Sequence, residues 1–235
     1  MKSREALSVS HCLLIVSATL FELYRQSEHW VPPAWRGMRS NMSRLDIIDK
    51  NPRFTCSIIA FECGYLLQDF VVLVRGARLV AGDGRARSIM ARNVNWRVLG
   101  WHHLGLAAGL GLFHLRAVRG TAKGSLVVLM MMLMNASTPF GTLHWFLARF
   151  HPARRASICA SHVMYLVTYA LARVYLFYGI LGVFGAWKGG RAREALAHLR
   201  WQCHLGIGVI TGVNAFWLLG ALRKFARTYL IRGGK

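Results

Sequence analysis

Apolar and basic blocks alternate along the chain. The apolar runs cover residues 6–24, 56–74, 98–115, 124–138, 156–187 and 203–222. Most approach the ~20 residues that an α-helix needs to cross a hydrocarbon core of about 30 Å. The pattern predicts an all-α fold, a multi-pass transmembrane helical bundle of six helices, with seven as the alternative. Residues 156–187 exceed one upright crossing and read as a tilted helix or as a span with a partly buried extension. Lys2 and Arg4 before the first run resemble a signal peptide, but the run is long and no small-residue cleavage site follows. It reads as a retained span, with Glu22 near its far end placed to reach the interface.

The breaks between runs have their own chemistry. Pro32 and Pro33 stop any helix after the first span, and a short interfacial helix is expected over residues 43–49. Gly76, Gly82 and Gly84 argue against a long helix in the basic loop 75–97. Pro139 is expected to interrupt the fourth helix, leaving residues 140–150 as an aromatic-rich continuation or an interfacial segment. No repeat of 20–50 residues is present. The domains predicted are residues 1–55, holding the first transmembrane helix and a lumenal loop, residues 56–227, the rest of the bundle, and residues 228–235, a basic C-terminal tail.

Composition fits this layout. Hydrophobic residues make up 54% of a chain that also carries 30 Lys and Arg and a formal charge of +21. No long basic stretch stands clear of an apolar run, so the charge is assigned to loops lying against anionic lipid head groups rather than to a nucleic acid. Membrane lipids are the expected partners, with a second copy or another membrane protein as a further one. The five cysteines show no CxxC or CxxH spacing, so neither a disulfide framework nor a metal site is expected. Lys and Arg lean towards the side holding both termini, while Glu28, Asp46, Asp49 and Glu194 lie opposite. The positive-inside rule then places the termini in the cytoplasm. A glycosylation sequon at Asn41 fits a lumenal first loop.

Polar residues inside the apolar runs carry the candidate chemistry, because ionisable groups are costly in a bilayer. Asp69 stands near the end of the second run, and His102 and His103 near the start of the third. Helical rise puts all three roughly 8 Å inside the same leaflet. Asn135, Ser137 and Thr138, at the end of the fourth run, and His162 in the fifth are expected at a similar depth, forming a pocket open to the cytoplasmic face. A His–Asp contact makes a general base for acyl transfer to a lipid alcohol or amine. The alternative is that Asp69, His102 and His103 only hydrogen-bond to hold helices together. Two histidines on different helices could also ligate haem. Arg173, deep in the fifth run, reads as the counter-charge to Glu62 or Asp69, or as a holder of an anionic head group or coenzyme A phosphate.

Several segments resemble the TLC domain, a family named for TRAM, LAG1 and CLN8. They are Gly64-Tyr65-Leu66-Leu67-Gln68-Asp69, His102-His103-Leu104, Ser137-Thr138-Pro139-Phe140 with Trp145-Phe146, and Val213-Asn214-Ala215-Phe216-Trp217 before basic residues. Arg173 matches a common arginine of the family's penultimate helix, and the likeness covers residues 57–227. Ceramide synthases carry a paired-aspartate segment after the histidines. Here the corresponding stretch, residues 134–140, holds no aspartate, and Asn135 stands where the TLC-domain-containing and CLN8-like branch commonly has a glutamate. The chain is therefore similar to that branch rather than to ceramide synthases. The resemblance implies an endoplasmic reticulum protein acting on sphingolipid or phospholipid composition. If it is an enzyme, the expected reaction is acyl transfer from acyl-coenzyme A as co-substrate, with no resident cofactor. His102 or His103 would then be the base and Asp69 its orienting group. Asn135, Ser137, Arg173, Asn214 and Trp217 would be substrate-binding. A non-catalytic lipid-binding regulator or cargo receptor is the other reading.

Overall fold

The computed structural model describes residues 2–37, 46–79, 81, 96–188, 190–197, 199 and 201–231. Asn41, Gly82, Gly84, His198 and residues 232–235 lie outside them. Among the described residues the regular structure is helical, without a strand. Six long helical stretches match the six apolar runs: Lys2–Arg25, Arg53–Leu79, Trp96–Val118, Ser125–Phe150, Arg155–Trp187 and Trp201–Phe225, the last prolonged by Ala226–Ile231. Five of the six are long and apolar enough to cross a membrane, at a mean hydropathy of 1.6 to 1.8. Trp96–Val118 falls outside that set on apolarity, not on length. Its 23 residues reach ~34 Å, but His102, His103 and His114 dilute its apolar content.

The helices run further than the apolar runs do. Arg53–Leu79 continues through Arg75, Gly76 and Arg78, because a helix already propagating gains one hydrogen bond per residue added. Of the interfacial helix expected over 43–49, residues 46–49 are described and form the helical turn Asp46–Asp49; residues 43–45 lie outside the described residues. Pro139 does not interrupt the fourth helix. The α-helical turns Ser125–Met131 tighten into a 3-10 segment, Met132–Ser137, and Pro139 then sits in the first turn of Thr138–Phe150. A first-turn proline withdraws only a donor that the helix start leaves unused, so the run passes through. As a result Asn135 and Ser137 lie near the middle of the span rather than at its end.

The chain divides into two compact units, Lys50–Ser125 and Met1–Asp49 with Leu126–Lys235. The smaller is a hairpin of Arg53–Leu79 and Trp96–Val118. In the first of these, Thr55, Ile58, Ile59, Glu62, Leu66, Asp69 and Leu73 are buried. Steps of three and four put them on one stripe, which faces the partner helix. Gly100 lies beside the Phe70 ring and Gly111 beside Cys63. At the open end of the hairpin the Asn51 amide donates to the Ala122 carbonyl at 2.8 Å, and the Ser125 hydroxyl to the Lys50 carbonyl at 2.8 Å. The basic turn between these partners uses Gly120 and Gly124 at φ of 68° and 81°, a region that side chains with a Cβ rarely adopt.

The larger unit packs four long stretches. The first helix lies against the middle and second half of the fourth, where the Thr142 hydroxyl donates to Glu5 at 3.5 Å. The fourth and fifth are an antiparallel pair in which Gly141 admits the Tyr165 ring. At the opposite end, the Trp187 indole donates to the Trp30 carbonyl at 2.9 Å. Outward faces are apolar: Leu13, Leu14, Phe21, Val167, Leu205, Phe216 and Leu219 are all exposed. That is what hydrocarbon requires and water penalises.

Candidate functional site

The hairpin brings two sequence-predicted residues together. Nδ1 of His103 lies 2.8 Å from Oδ2 of Asp69, with the Asp69 side chain 4% exposed and His103 13% exposed. The oxygen is off the line of the ring N–H, so the contact has ion-pair distance without a straight hydrogen bond. The His102 ring, one position on, sits 5.7 Å from that of His103 at 44°, since adjacent helical residues point ~100° apart. Cys63 donates its thiol to the Ala107 carbonyl at 3.3 Å, one turn below. His114 lies further along the third helix, its Nδ1 buried and without a hydrogen-bond partner.

A second polar group crosses three helices of the larger unit. Arg173 donates from Nε to the Ser137 hydroxyl at 3.0 Å and holds its guanidinium carbon 5.0 Å from the centre of the Tyr169 ring. The Tyr169 hydroxyl in turn donates to Oδ1 of Asn214 at 3.2 Å. Ser137, Tyr169 and Asn214 are buried, and Arg173 is half-buried. Local structure places the arginine: residues Ala170–Tyr175 form a π-helical turn inside the otherwise α-helical Arg155–Trp187. Such a turn widens the helix and re-aims its side chains, and π-turns recur at functional positions. Asn135, half-buried in the 3-10 segment, and half-buried Trp217 in the last helix complete the predicted set. Asp69 and the histidine pair thus belong to one unit, and Asn135, Ser137, Arg173, Asn214 and Trp217 to the other. Within its own unit Arg173 is held by Ser137 and Tyr169, and no carboxylate among that unit's described residues pairs with it.

The sequence model of the TLC domain matches residues 4–223. This chain belongs to the TLC-domain family. No curated protein and no solved structure gives a significant match. The TLC domain begins well before residue 57, where the resemblance was expected to start, so the first helix is part of it. That helix carries a polar stripe of its own. His11, Thr19 and Glu22 are buried on this helix, which packs against the fourth. Glu22 does not reach outward; it is fully buried, accepts from the Gln26 amide at 3.0 Å and has Arg25 at 3.5 Å. One helical turn brings both partners back over it.

Sequence reasoning also missed Tyr169 and the pairing of His144 with His162. Those two rings stack at 4.1 Å, with Phe225 and Tyr229 edge-on to His162. The signal was present: His162, Tyr165, Tyr169 and Arg173 follow at steps of three and four, one stripe of a helix. Among the described residues no three of His, Cys, Asp and Glu converge as metal ligands would.

Proposed function

We propose that this TLC-domain protein handles lipids inside the membrane and transfers an acyl group from acyl-coenzyme A to an amine or hydroxyl of a sphingoid base or phospholipid. The observation that supports the reading is the 2.8 Å contact between His103 and Asp69 across the two helices of the hairpin. With Nδ1 at ion-pair distance from the carboxylate, Nε2 is the nitrogen of His103 left to take a proton. In the step proposed, the acceptor's lone pair forms a bond to the thioester carbon while its proton passes to Nε2. The carbon–sulfur bond breaks, and the departing thiolate takes that proton back from the imidazolium. Asp69 stabilises the transient positive charge. The absence of an aspartate from residues 134–140 favours the TLC-domain-containing and CLN8-like branch over ceramide synthases. The endoplasmic reticulum membrane, with cytoplasmic termini, is the proposed location.

The test is transfer of labelled acyl groups in proteoliposomes offered acyl-coenzyme A with a sphingoid base or a lysophospholipid. General-base catalysis by the pair predicts that His103→Ala lowers turnover at least ~100-fold. Asp69→Asn, which keeps the shape and loses the charge, should lower kcat more than it raises KM. Unchanged transfer in a folded His103→Ala protein would overturn catalysis by this pair.

A second reading, a non-catalytic lipid-binding regulator or cargo receptor, is favoured by Asn135. Its carboxamide stands where a carboxylate base would otherwise be and can orient a ligand without taking its proton. Absence of transfer together with co-purification of one lipid class would establish it. A Soret band in the purified protein would instead establish the third reading, a haem-binding redox protein.

A further inference from the structure

The geometry points to an oxyanion site on Arg173, in which the carboxylate or phosphate of an anionic lipid is held within the span by a guanidinium fork that Ser137 and Tyr169 aim. Three observations carry it. Arg173 lies near the middle of the 33-residue stretch Arg155–Trp187, ~20 Å or more from either end, among apolar turns rather than at a helix terminus. Its charge has no carboxylate partner among the described residues of its own unit; a neutral hydroxyl and a ring face stand beside it instead. A guanidinium so deep is costly unless an anion neutralises it. It is also fixed rather than loose. Ser137 occupies the Nε edge, and the Tyr169 ring, itself tied to Asn214, backs one face.

That arrangement suits a planar, two-oxygen anion. An arginine held on one edge and stacked on one face presents its remaining N–H groups in a fixed fork, which matches carboxylate or phosphate better than the point charge of a lysine does. The apolar surroundings select for a ligand with an acyl chain. The π-turn at Ala170–Tyr175 supplies the local widening that brings the fork out of the helix. The site does not depend on acyl transfer, since a binding protein without catalysis would use it equally, and the experiment reads binding alone.

The full-length protein, purified in maltoside micelles, is offered equal amounts of oleate, dioleoyl phosphatidic acid and dioleoylglycerol, washed, and its retained lipids are measured by mass spectrometry. Enrichment of oleate supports a carboxylate ligand and enrichment of phosphatidic acid a phosphate ligand; either supports the site. Arg173→Gln is expected to lower that enrichment ~10-fold or more, and Arg173→Lys, which keeps the charge without the fork, to restore only part of it. Equal retention of all three lipids by the unaltered protein overturns the proposal, as does unchanged enrichment in folded Arg173→Gln. Should Arg173→Gln fail to fold, Ser137→Ala decides: a several-fold fall supports the site, and unaltered retention overturns it.

Discussion

Tyr169 shows how one side chain serves two neighbours. Its ring backs Arg173 and its hydroxyl donates to Asn214, which is only 4% exposed. The two roles separate by substitution. Tyr169→Phe keeps the ring and removes one hydrogen bond, so unfolding free energy should fall by about 1 kcal/mol. Tyr169→Ala removes the ring as well and should cost about 3–5 kcal/mol, the range for large aromatic truncations in a core. Denaturation of the purified protein followed by circular dichroism checks both; equal losses would mean that the ring contributes nothing. Gly185 is a sharper case. A Cβ there would stand 2.5 Å from the Arg191 carbonyl oxygen, and backbone cannot yield as a side-chain tip does. Gly185→Ala should therefore destabilise by about 1–3 kcal/mol through overpacking, read in the same melt.

The interruptions matter more than the regular turns at the scale of the helix. Three of the described spans contain a non-α segment, Met132–Ser137, Ala170–Tyr175 and Ala226–Ile231, and Ser137 at the end of the first meets Arg173 inside the second. A π-turn accommodates one extra residue in a helix, so removing Ala172 should restore α-helical hydrogen bonding and swing the following residues by ~100°. The expected result is an unchanged helical content, with Ser137 and Arg173 turned out of reach of each other. Cysteines placed at these two positions should cross-link readily in the parent chain and poorly after the deletion; efficient cross-linking in both would show that the π-turn does not aim Arg173. The sequence made the spans legible because apolar runs alternate with charged ones. It set their ends short, since helical hydrogen bonding carries on past the last apolar residue, as at Arg75 to Leu79. The Asp69–His103 pair was legible too, because depth counting works for two antiparallel helices joined by one loop. Tyr169 was not, because a tyrosine within an apolar run reads as core. The buried stripe of His11, Thr19 and Glu22 has helical spacing, but position near a helix end does not reveal which face a neighbour will cover.

Across the larger unit, side-chain pairings fix which ends of the helices lie together. Glu5 at the start of the first helix meets Thr142 in the second half of the fourth. His162, early in the fifth, meets Phe225 and Tyr229 at the end of the sixth. The start of the chain, the turn at residues 151–154 and the end of the last helix therefore share one end, while Trp30 and Trp187 meet at the other. A first and fourth helix that run antiparallel need an even number of crossings between them, so the hairpin of Arg53–Leu79 and Trp96–Val118 contributes two or none. This bears on Trp96–Val118 directly, since among the described residues it is the long helix whose histidines leave it short of the apolarity of the others. Either case leaves the two termini on one side, and the cases differ in the side of the loop that joins the hairpin's helices. If both helices cross, a tag inserted in that loop lies on the side of the termini; if neither does, it lies on the opposite side. Selective permeabilisation of the plasma membrane followed by antibody staining distinguishes them. Staining of the terminal and loop tags together is expected, all in the cytoplasm. Staining of the terminal tags without the loop tag would take the hairpin out of the membrane, and with it the apolar setting that gives the His103–Asp69 pair its proposed chemistry.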